Sequence, residues 1–373
     1  MKKTKTASGV RLKLALGLLV ALNWSCDSEK NEPSPVVPFG TSGVLVLNSG
    51  NFSDNNGTIT YYPSTGSPFS YDFFNRVNQR SLTGSVQGYT ESDGKGIILV
   101  DNTTGGQDKV EIVDANTFKS LATLKSPDIE NPRSAVRVGA NKVYVSCWDV
   151  SGDFSNGTFY KDPGYVAVVD LTTNKVTKKI PAVKGVETLL LVGTEVFAGS
   201  SGDATRLTVI DTATDQVKTG IEVGANPNPV AFDANGKLWV LSGHELVRIN
   251  PQSKTVENRL TIGTDKSRSL SHFVLSADKQ SIYFISSFYD AADNYREKGE
   301  LHRFALTDTS IPATTPFISK LFSGLAVDPQ SGILYGGFTP SYKQAGYVFR
   351  YQPNGTLIDS VKAEIAPTGF FFK

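Results

Sequence analysis

The chain has 373 residues, 39% hydrophobic and 20% charged, so it is too apolar for a disordered protein and long enough for a large folded body. Its 37 Lys and Arg balance 36 Asp and Glu, which gives no reason to expect a nucleic acid or an anionic membrane surface as partner. Two cysteines exclude a disulfide framework, and the three histidines lack metal-ligand spacing. Because the common nucleotide-binding and hydrolase motifs are also absent from the sequence, we expect no catalytic residues, metal or cofactor.

The N-terminal segment has the pattern of an export signal. A basic start runs into the apolar stretch Leu12–Leu22, which is too short to span a bilayer, since ~20 residues are needed. Ser25-Cys26 at its end resembles a lipobox, so we predict a signal peptide at 1–25 and lipidation of Cys26. Residues 26–43 form a polar, Pro-rich linker of the kind that follows a lipid anchor. The alternative is an ordinary signal peptide with a chance cysteine.

One supersecondary pattern recurs after residue 43. A short apolar strand is followed by a loop, a second strand, a polar turn and a third strand, and the next unit opens with a strand after Pro or Gly. The centres of the first strands lie 42 to 53 residues apart, near the length of a four-stranded propeller blade: Leu45, Ile98, Tyr144, Phe197, Trp239, Tyr283 and Tyr335. The sequence therefore predicts an all-β, seven-bladed β-propeller over 44–373. The alternative is an eight-bladed or open β-solenoid fold.

The two ends of this repeat region complement each other. Pro367–Lys373 looks like one more innermost strand with nothing after it, while Val44–Leu47 lacks an innermost strand before it. Pairing the C-terminal strand into the N-terminal blade would close the ring and remove the exposed sheet edges.

Loop length indicates which face of the propeller is functional. With strands a to d counted outward, the a–b and c–d turns form one face, the turn face, and the b–c loops and links between blades form the other, the loop face. The a–b turns are short, whereas b–c loops such as Cys147–Gly164 and Ser286–Gly299 are long, and long loops on rigid scaffolds carry function. The candidate ligand-binding residues are Asn48, Asn51, Asn102, Trp148, Phe288, Tyr289 and Tyr342 from loops, and Gln87, Asn131, Arg133, Glu187, Asn228, His272 and Phe322 from the links.

The chemistry of these candidates favours a particular class of ligand. Aromatic rings with amides and few charges suit a large, flat, amphiphilic molecule or a protein surface. The structural alternatives are that the aromatic rings pack their own loops, that Arg133 braces a loop through backbone carbonyls, and that His272 has a purely structural role.

Several motifs resemble those of a known family. LNSGNF (Leu47–Phe52), NPR (Asn131–Arg133), the VVDLTTNKV and VIDTATDQV hairpins, and DPQSGILY (Asp328–Tyr335) ending in PTGFFF resemble the YncE-like surface lipoprotein propellers of Bacteroidota, in character closest to their cobalamin-binding lipoprotein. The resemblance implies a lipid-anchored propeller exposed on the outer membrane. It also implies two partners, namely a corrinoid ligand and a TonB-dependent outer-membrane transporter.

Three readings of function follow. The first is a non-catalytic surface lipoprotein that binds a scarce nutrient, cobalamin or another corrinoid, and passes it to the transporter. The second is a partner-binding, carbohydrate-binding or cell-envelope structural propeller. An enzyme is the third, because propeller lyases and lactonases gather histidines and carboxylates at the pore, where only Glu187 and His272 qualify here.

Overall fold

The computed structural model describes residues 39–40, 42–66, 68–150, 152 and 159–373. The predicted signal peptide, Cys26 and nearly all of the predicted linker lie outside these residues. Within them, Phe39 packs its ring against Tyr61, Phe73 and Phe118 at centroid distances of 4.9 to 5.2 Å, so the folded body begins before the first strand. No helix in the described part of the chain is long and apolar enough to cross a membrane.

The strands form seven antiparallel sheets, the blades of a propeller. Blade 1 joins β1 (Gly43–Asn48) and β2 (Thr58–Pro63) to the last strand of the chain, β26 (Pro367–Phe372). Blades 2 to 5 have four strands each, from the channel outward: β3 (Ser85–Ser92), β4 (Lys95–Asp101), β5 (Lys109–Asp114) and β6 (Ser120–Lys125); β7 (Pro132–Gly139), β8 (Lys142–Cys147), β9 (Tyr165–Asp170) and β10 (Lys175–Pro181); β11 (Val186–Val192), β12 (Glu195–Ser200), β13 (Arg206–Asp211) and β14 (Gln216–Glu222); β15 (Asn228–Phe232), β16 (Leu238–Ser242), β17 (Glu245–Asn250) and β18 (Thr255–Thr261).

The last two blades complete the ring. Blade 6 has three strands and blade 7 has four: β19 (Ser269–Leu275), β20 (Ser281–Asp290) and β21 (Arg296–Ala305); β22 (Gly324–Val327), β23 (Leu334–Phe338), β24 (Ala345–Tyr351) and β25 (Leu357–Ile365). One short helix, α1 (Phe73–Asn78), and 3-10 turns at Phe52–Asp54 and Ala291–Asp293 lie between strands.

The position of a strand in its blade explains its composition. Second strands are buried on both faces between neighbouring blades, and in β4 the four residues from Ile97 to Val100 have no solvent exposure. Outer strands such as β10 and β14 are largely solvent-exposed. The apolar runs that mark the repeats are therefore the second strands.

Ring closure by the C-terminal strand is confirmed. β26 pairs antiparallel with β1, with Leu45 opposite Phe371 and Leu47 opposite Gly369. Each innermost strand contacts the next, and β26 contacts both β22 and β3. The ring of Tyr335 in blade 7 packs at 5.1 Å from that of Phe372, which joins the last blade to the first.

Two blades depart from the predicted pattern of three strands after the innermost one. In the described residues of blade 1, no outer strand follows β2; instead, α1 buries Phe73 and Phe74 beside the blade. In blade 6 the segment after β21 contains Pro312 and Pro316 and makes only isolated bridges. Proline lacks the N–H that a ladder needs, so a regular fourth strand does not form there.

The predicted loop Ser286–Gly299 is mostly a β-hairpin. β20 and β21 pair without interruption from Ser281 opposite Ala305 to Asp290 opposite Arg296, closing at the 3-10 turn. The hairpin therefore extends from the loop face as a paired arm instead of an irregular loop. In blade 5 the b–c connection is only two residues, Gly243 and His244, the shortest on this face.

Candidate functional site

The innermost strands carry β-bulges near their loop-face ends. Register shifts leave Gln87, Arg133, Glu187 and His272 without a direct cross-strand partner, and Val230 and Thr368 occupy the same place in two other blades. Bulges redirect a side chain and interrupt pairing, and they are common beside functional sites. Four residues predicted from the links thus share one structural position around the channel.

Arg133 lies at the centre of a buried polar group between blades 2 and 4. Its Nη1 lies 2.7 Å from Oδ2 of Asp101, with side chains that are 12% and 3% exposed, and its guanidinium stacks on the ring of Trp148 at 3.6 Å. Arg133 also donates to Oδ1 of Asn131 at 3.3 Å. We call Asp101, Asn131, Arg133, Trp148 and Glu187 the arginine cluster.

Glu187 is the second charged residue of the arginine cluster. Its Oε1 accepts a hydrogen bond from the Ser201 hydroxyl at 3.0 Å. Burial raises the pKa of this carboxyl, although the nearby Arg133 and the Ser201 hydrogen bond act in the opposite direction. The ring of Tyr160 packs edge-on against Trp148 at 4.8 Å and shares a hydrogen bond with Ser201, which ties the long loop of blade 3 to blade 4.

A carboxyl pair lies behind Arg133. Asp108 accepts hydrogen bonds from the backbone N–H groups of Asn102 and Asn131 at 2.7 and 3.0 Å. Burial, together with the neighbouring Asp101, raises the pKa of Asp108 to about 7. A proton on this pair satisfies Oδ1 of Asp101, which is buried and has no other partner. The pair fixes the loop of blade 2 to the link into blade 3.

A cavity of about 370 Å³ lies on the same face between blades 6 and 7. Three predicted residues line it, His272, Phe322 and Tyr342, together with Glu297 and several hydroxyl side chains. His272 has a left-handed backbone (φ 52°), and its Nδ1 lies 2.9 Å from the hydroxyl of Ser271. The surrounding protein lowers the pKa of its imidazole, although the side chain keeps contact with solvent.

Exposed aromatic side chains mark the loop face. Five such residues, which are 47% to 71% exposed, lie on its connections or on the β20–β21 hairpin: Phe52, Phe159, Tyr289, Tyr295 and Tyr342. In the described residues, the a–b and c–d turns of the opposite face carry no exposed aromatic side chain. Exposed aromatic groups concentrated on one face are typical of a binding surface.

Comparison with known proteins places the whole propeller in one family. A family model described as a domain of unknown function, DUF5074, matches residues 42–372. The chain belongs to the DUF5074 family. No curated protein matches the sequence.

Solved structures similar to this DUF5074 propeller share its fold at low identity. A quinonprotein alcohol dehydrogenase-like protein from Bacteroides thetaiotaomicron is 17% identical, with a TM-score of 0.62 over 90% of this chain and 79% of the other. A putative 6-phosphogluconolactonase from Bacteroides fragilis is 11% identical, with a TM-score of 0.61 over 89% and 98% of the two chains. Hydrazine synthase of Kuenenia stuttgartiensis is 16% identical, with a TM-score of 0.54 over 78% and 91%. At these identities the likeness shows the fold alone.

Several of the predicted asparagines brace the DUF5074 propeller. Asn48 has no solvent exposure, donates to Thr60 at 3.1 Å and accepts from the Glu364 backbone at 3.3 Å. Asn102 is 9% exposed, and its amide joins Thr83 and Thr104. These contacts place both side chains within the protein's own hydrogen bonds.

The other predicted residues divide between surface and interior positions. Asn51 caps the 3-10 turn of blade 1, and Gln87 donates to the Ser85 hydroxyl at 3.2 Å. Asn228 donates to the Ser200 carbonyl, and Phe322 is 2% exposed in the floor of the cavity. The remaining two lie on the hairpin: Phe288, under Arg268 at 4.8 Å, and Tyr289, which is 64% exposed.

Sequence reasoning missed the acidic residues of both groups. Asp101 and Asp108 flank the loop of blade 2, and Glu297 was hidden in a segment predicted as loop. An acid directly after an apolar second strand, as at Asp101, is the one signal that pointed there. In the described residues no group of three or more His, Cys, Asp or Glu side chains is arranged to hold a metal ion. Cys147 is buried in the core, which raises the pKa of its thiol to about 12.

Proposed function

We propose that this protein is a non-catalytic binding propeller whose loop face captures a large, flat, amphiphilic nutrient. The observation that carries the proposal is the concentration of exposed aromatic side chains on one face, beside a cavity and a ring of bulged residues. Rings such as those of Tyr289 and Tyr342 supply apolar contact area with a polar end, which suits a ligand that has both characters.

The ligand that fits this proposal best is a corrinoid such as cobalamin, delivered to a TonB-dependent outer-membrane transporter. The support is the resemblance of the strand and turn motifs to YncE-like surface propellers. In this proposal Cys26 anchors the protein by lipid on the outer membrane, with the propeller exposed at the cell surface. A Cys26→Ser protein is expected to be recovered in the soluble fraction, and membrane partitioning like that of the wild type would contradict the anchor.

The arrangement of acids and histidines favours binding over catalysis. Glu187 and His272 lie in different blades, and each is engaged by a neighbouring hydroxyl, Ser201 and Ser271 respectively. General acid–base catalysis needs such groups to converge on one reacting position. The proposed role therefore uses the loop face as a rigid recognition surface.

A second candidate function, docking of a protein partner, is favoured by the β20–β21 hairpin. Tyr289 and Tyr295 near its end are 64% and 71% exposed, and such aromatic residues are enriched at the centres of protein interfaces. A transporter that receives the nutrient from this face would meet the hairpin, so the two functions are compatible.

The test is calorimetric titration of the protein with cyanocobalamin. We expect binding by the wild type and a loss of about tenfold or more in affinity for Tyr289→Ala or Tyr342→Ala, since anchor residues of this type contribute ~2 kcal/mol. Asn235→Ala on the turn face is the control and is expected to bind like the wild type. Absence of heat with the wild type at micromolar concentrations would refute the corrinoid, and an equal loss in the control would refute the face.

A further inference from the structure

The cavity between blades 6 and 7 contains a carboxylate without a basic partner. In the β20–β21 hairpin, Asp290 pairs with Lys298 at 2.7 Å and Glu300 pairs with Arg268, whereas Glu297 forms no ion pair within the described residues. The Ser287 hydroxyl donates to its Oε1 at 2.8 Å. Since a carboxylate accepts up to four hydrogen bonds, Glu297 keeps acceptor capacity that faces the cavity.

No other charge in the cavity lining neutralises Glu297. Burial lowers the pKa of His272, even though Glu297 acts in the opposite direction, so the imidazole is uncharged at neutral pH. The guanidinium of Arg296 lies 3.8 Å from Asp293 and its side chain is 74% exposed. Burial and Glu297 both raise the pKa of Tyr342, so its phenol is also uncharged at neutral pH. The potential in the cavity is therefore negative.

The remaining lining adds hydroxyl groups above an apolar floor. Ser271, Thr339 and Thr368 provide hydroxyls that donate or accept, and Ile285 and Phe322 form part of the floor. At about 370 Å³ the cavity is at the small end of ligand pockets, which run from ~300 to ~1,000 Å³. It is large enough for one substituent of a large ligand or for a small molecule.

We infer that this cavity, which we call the Glu297 subsite, binds an N–H donor group, a primary amide or an ammonium, and rejects carboxylates. Hydrogen bonds from N–H donors to a carboxylate are charge-assisted and stronger than neutral ones. An anion in the same place would meet an uncompensated like charge, which is a repulsive basis for specificity. The inference rests on the proposed function in one respect, namely that the loop face is the binding face.

The subsite is tested with small probes by saturation-transfer NMR on the full-length protein. Succinamide, 1,4-diaminobutane and succinate have similar length and carry amide, ammonium and carboxylate ends. We expect transfer to the first two, which identifies each N–H source separately, and affinity for succinate lower by about tenfold or more. In Glu297→Gln, we expect diaminobutane to lose about tenfold in affinity and the discrimination against succinate to disappear.

The control variant is Glu222→Gln, which removes an exposed carboxylate on the outer strand of blade 4, where Glu222 pairs with Arg206 at 3.3 Å. It is expected to give the wild-type probe pattern, and melting curves check the fold of both variants. Equal transfer to succinate and succinamide, no transfer to any probe, or an unchanged pattern in Glu297→Gln would each overturn the inference.

Cyanocobalamin, whose corrin ring carries primary amides, separates this inference from the proposed function. If it gives no heat while succinamide and diaminobutane bind in a Glu297-dependent way, the corrinoid fails and the subsite stands. If it binds but the probe pattern does not depend on Glu297, the subsite fails and the corrinoid stands.

Discussion

The two sides of the loop face differ in how their polar groups are satisfied. On the side of blades 2 to 4, Arg133 is paired with Asp101 and stacked on Trp148, and the Asp101–Asp108 pair binds backbone groups of neighbouring connections. On the side of blades 6 and 7, Glu297 and Tyr342 line an open cavity. The closed side thus holds connections in place, while the open side keeps hydrogen-bonding capacity for a ligand.

The largest effect is expected from removing the strand on which both sides depend. Deletion of Pro367–Lys373 removes β26 and leaves β1 as an unpaired edge between blades 7 and 2. Because loss of each packed Phe costs up to ~3–5 kcal/mol, we expect loss of cooperative unfolding or aggregation. Differential scanning calorimetry measures this, and a truncated protein that melts at the wild-type temperature would show that closure is dispensable.

Arg133→Ala is expected to show that the closed side contributes to stability. It leaves Asp101, which is 2% exposed, as a buried carboxylate without its basic partner, so we expect the free energy of unfolding to fall by ~3–5 kcal/mol in urea titration. The matched control is Arg206→Ala, since Arg206 and Glu222 are 56% and 59% exposed and such pairs contribute ~1 kcal/mol or less. Equal effects of the two variants would remove the distinction between buried and surface pairs.

The Asp101–Asp108 pair predicts a pH dependence for the closed side. The pKa of Asp108 in the folded protein, about 7, is above its ordinary value of 3.8, so the folded state binds more protons between these values. The free energy of unfolding should therefore decrease as pH rises from about 4 to about 7, by on the order of 1–2 kcal/mol from this pair. Urea titrations across that range should give a shallower slope for Asp108→Asn. An identical slope would contradict the assignment.

The open side is expected to be nearly neutral for stability. Tyr342 is 58% exposed, so Tyr342→Ala should change the free energy of unfolding by no more than ~0.5 kcal/mol, although it removes a proposed ligand contact. Urea titration beside Arg133→Ala makes the contrast direct. A loss of stability comparable to that of Arg133→Ala would mean that Tyr342 has a structural role.

The blades could be predicted from sequence because each second strand is buried on both faces. That burial requires four or five consecutive apolar residues, as in Ile97–Val100, and their spacing reveals the repeat. The final strand was predictable for the same reason, as a copy of an innermost strand. The absence of an outer strand in blades 1 and 6 was not, because α1 and the segment after β21 replace it through tertiary packing.

The candidate site was predictable as a face and only partly as residues. Loop lengths and topology identify the face, whereas the pairing of Arg133 with Asp101 joins two blades and has no local signal. Bulges that place Gln87 and His272 at equivalent positions depend on strand register, which the local pattern does not specify there. Asn48 illustrates the converse, since an amide in a predicted loop motif became a buried brace.

Hydrogen exchange of the protein with and without cyanocobalamin tests the central claim that the open side of the loop face receives the ligand. We predict slower amide exchange on binding in segments 287–299 and 339–344, which carry Glu297 and Tyr342, and no change in the turn-face segments 233–237 and 328–333. Protection confined to the turn face, or bound ligand without protection in either loop-face segment, would contradict the account.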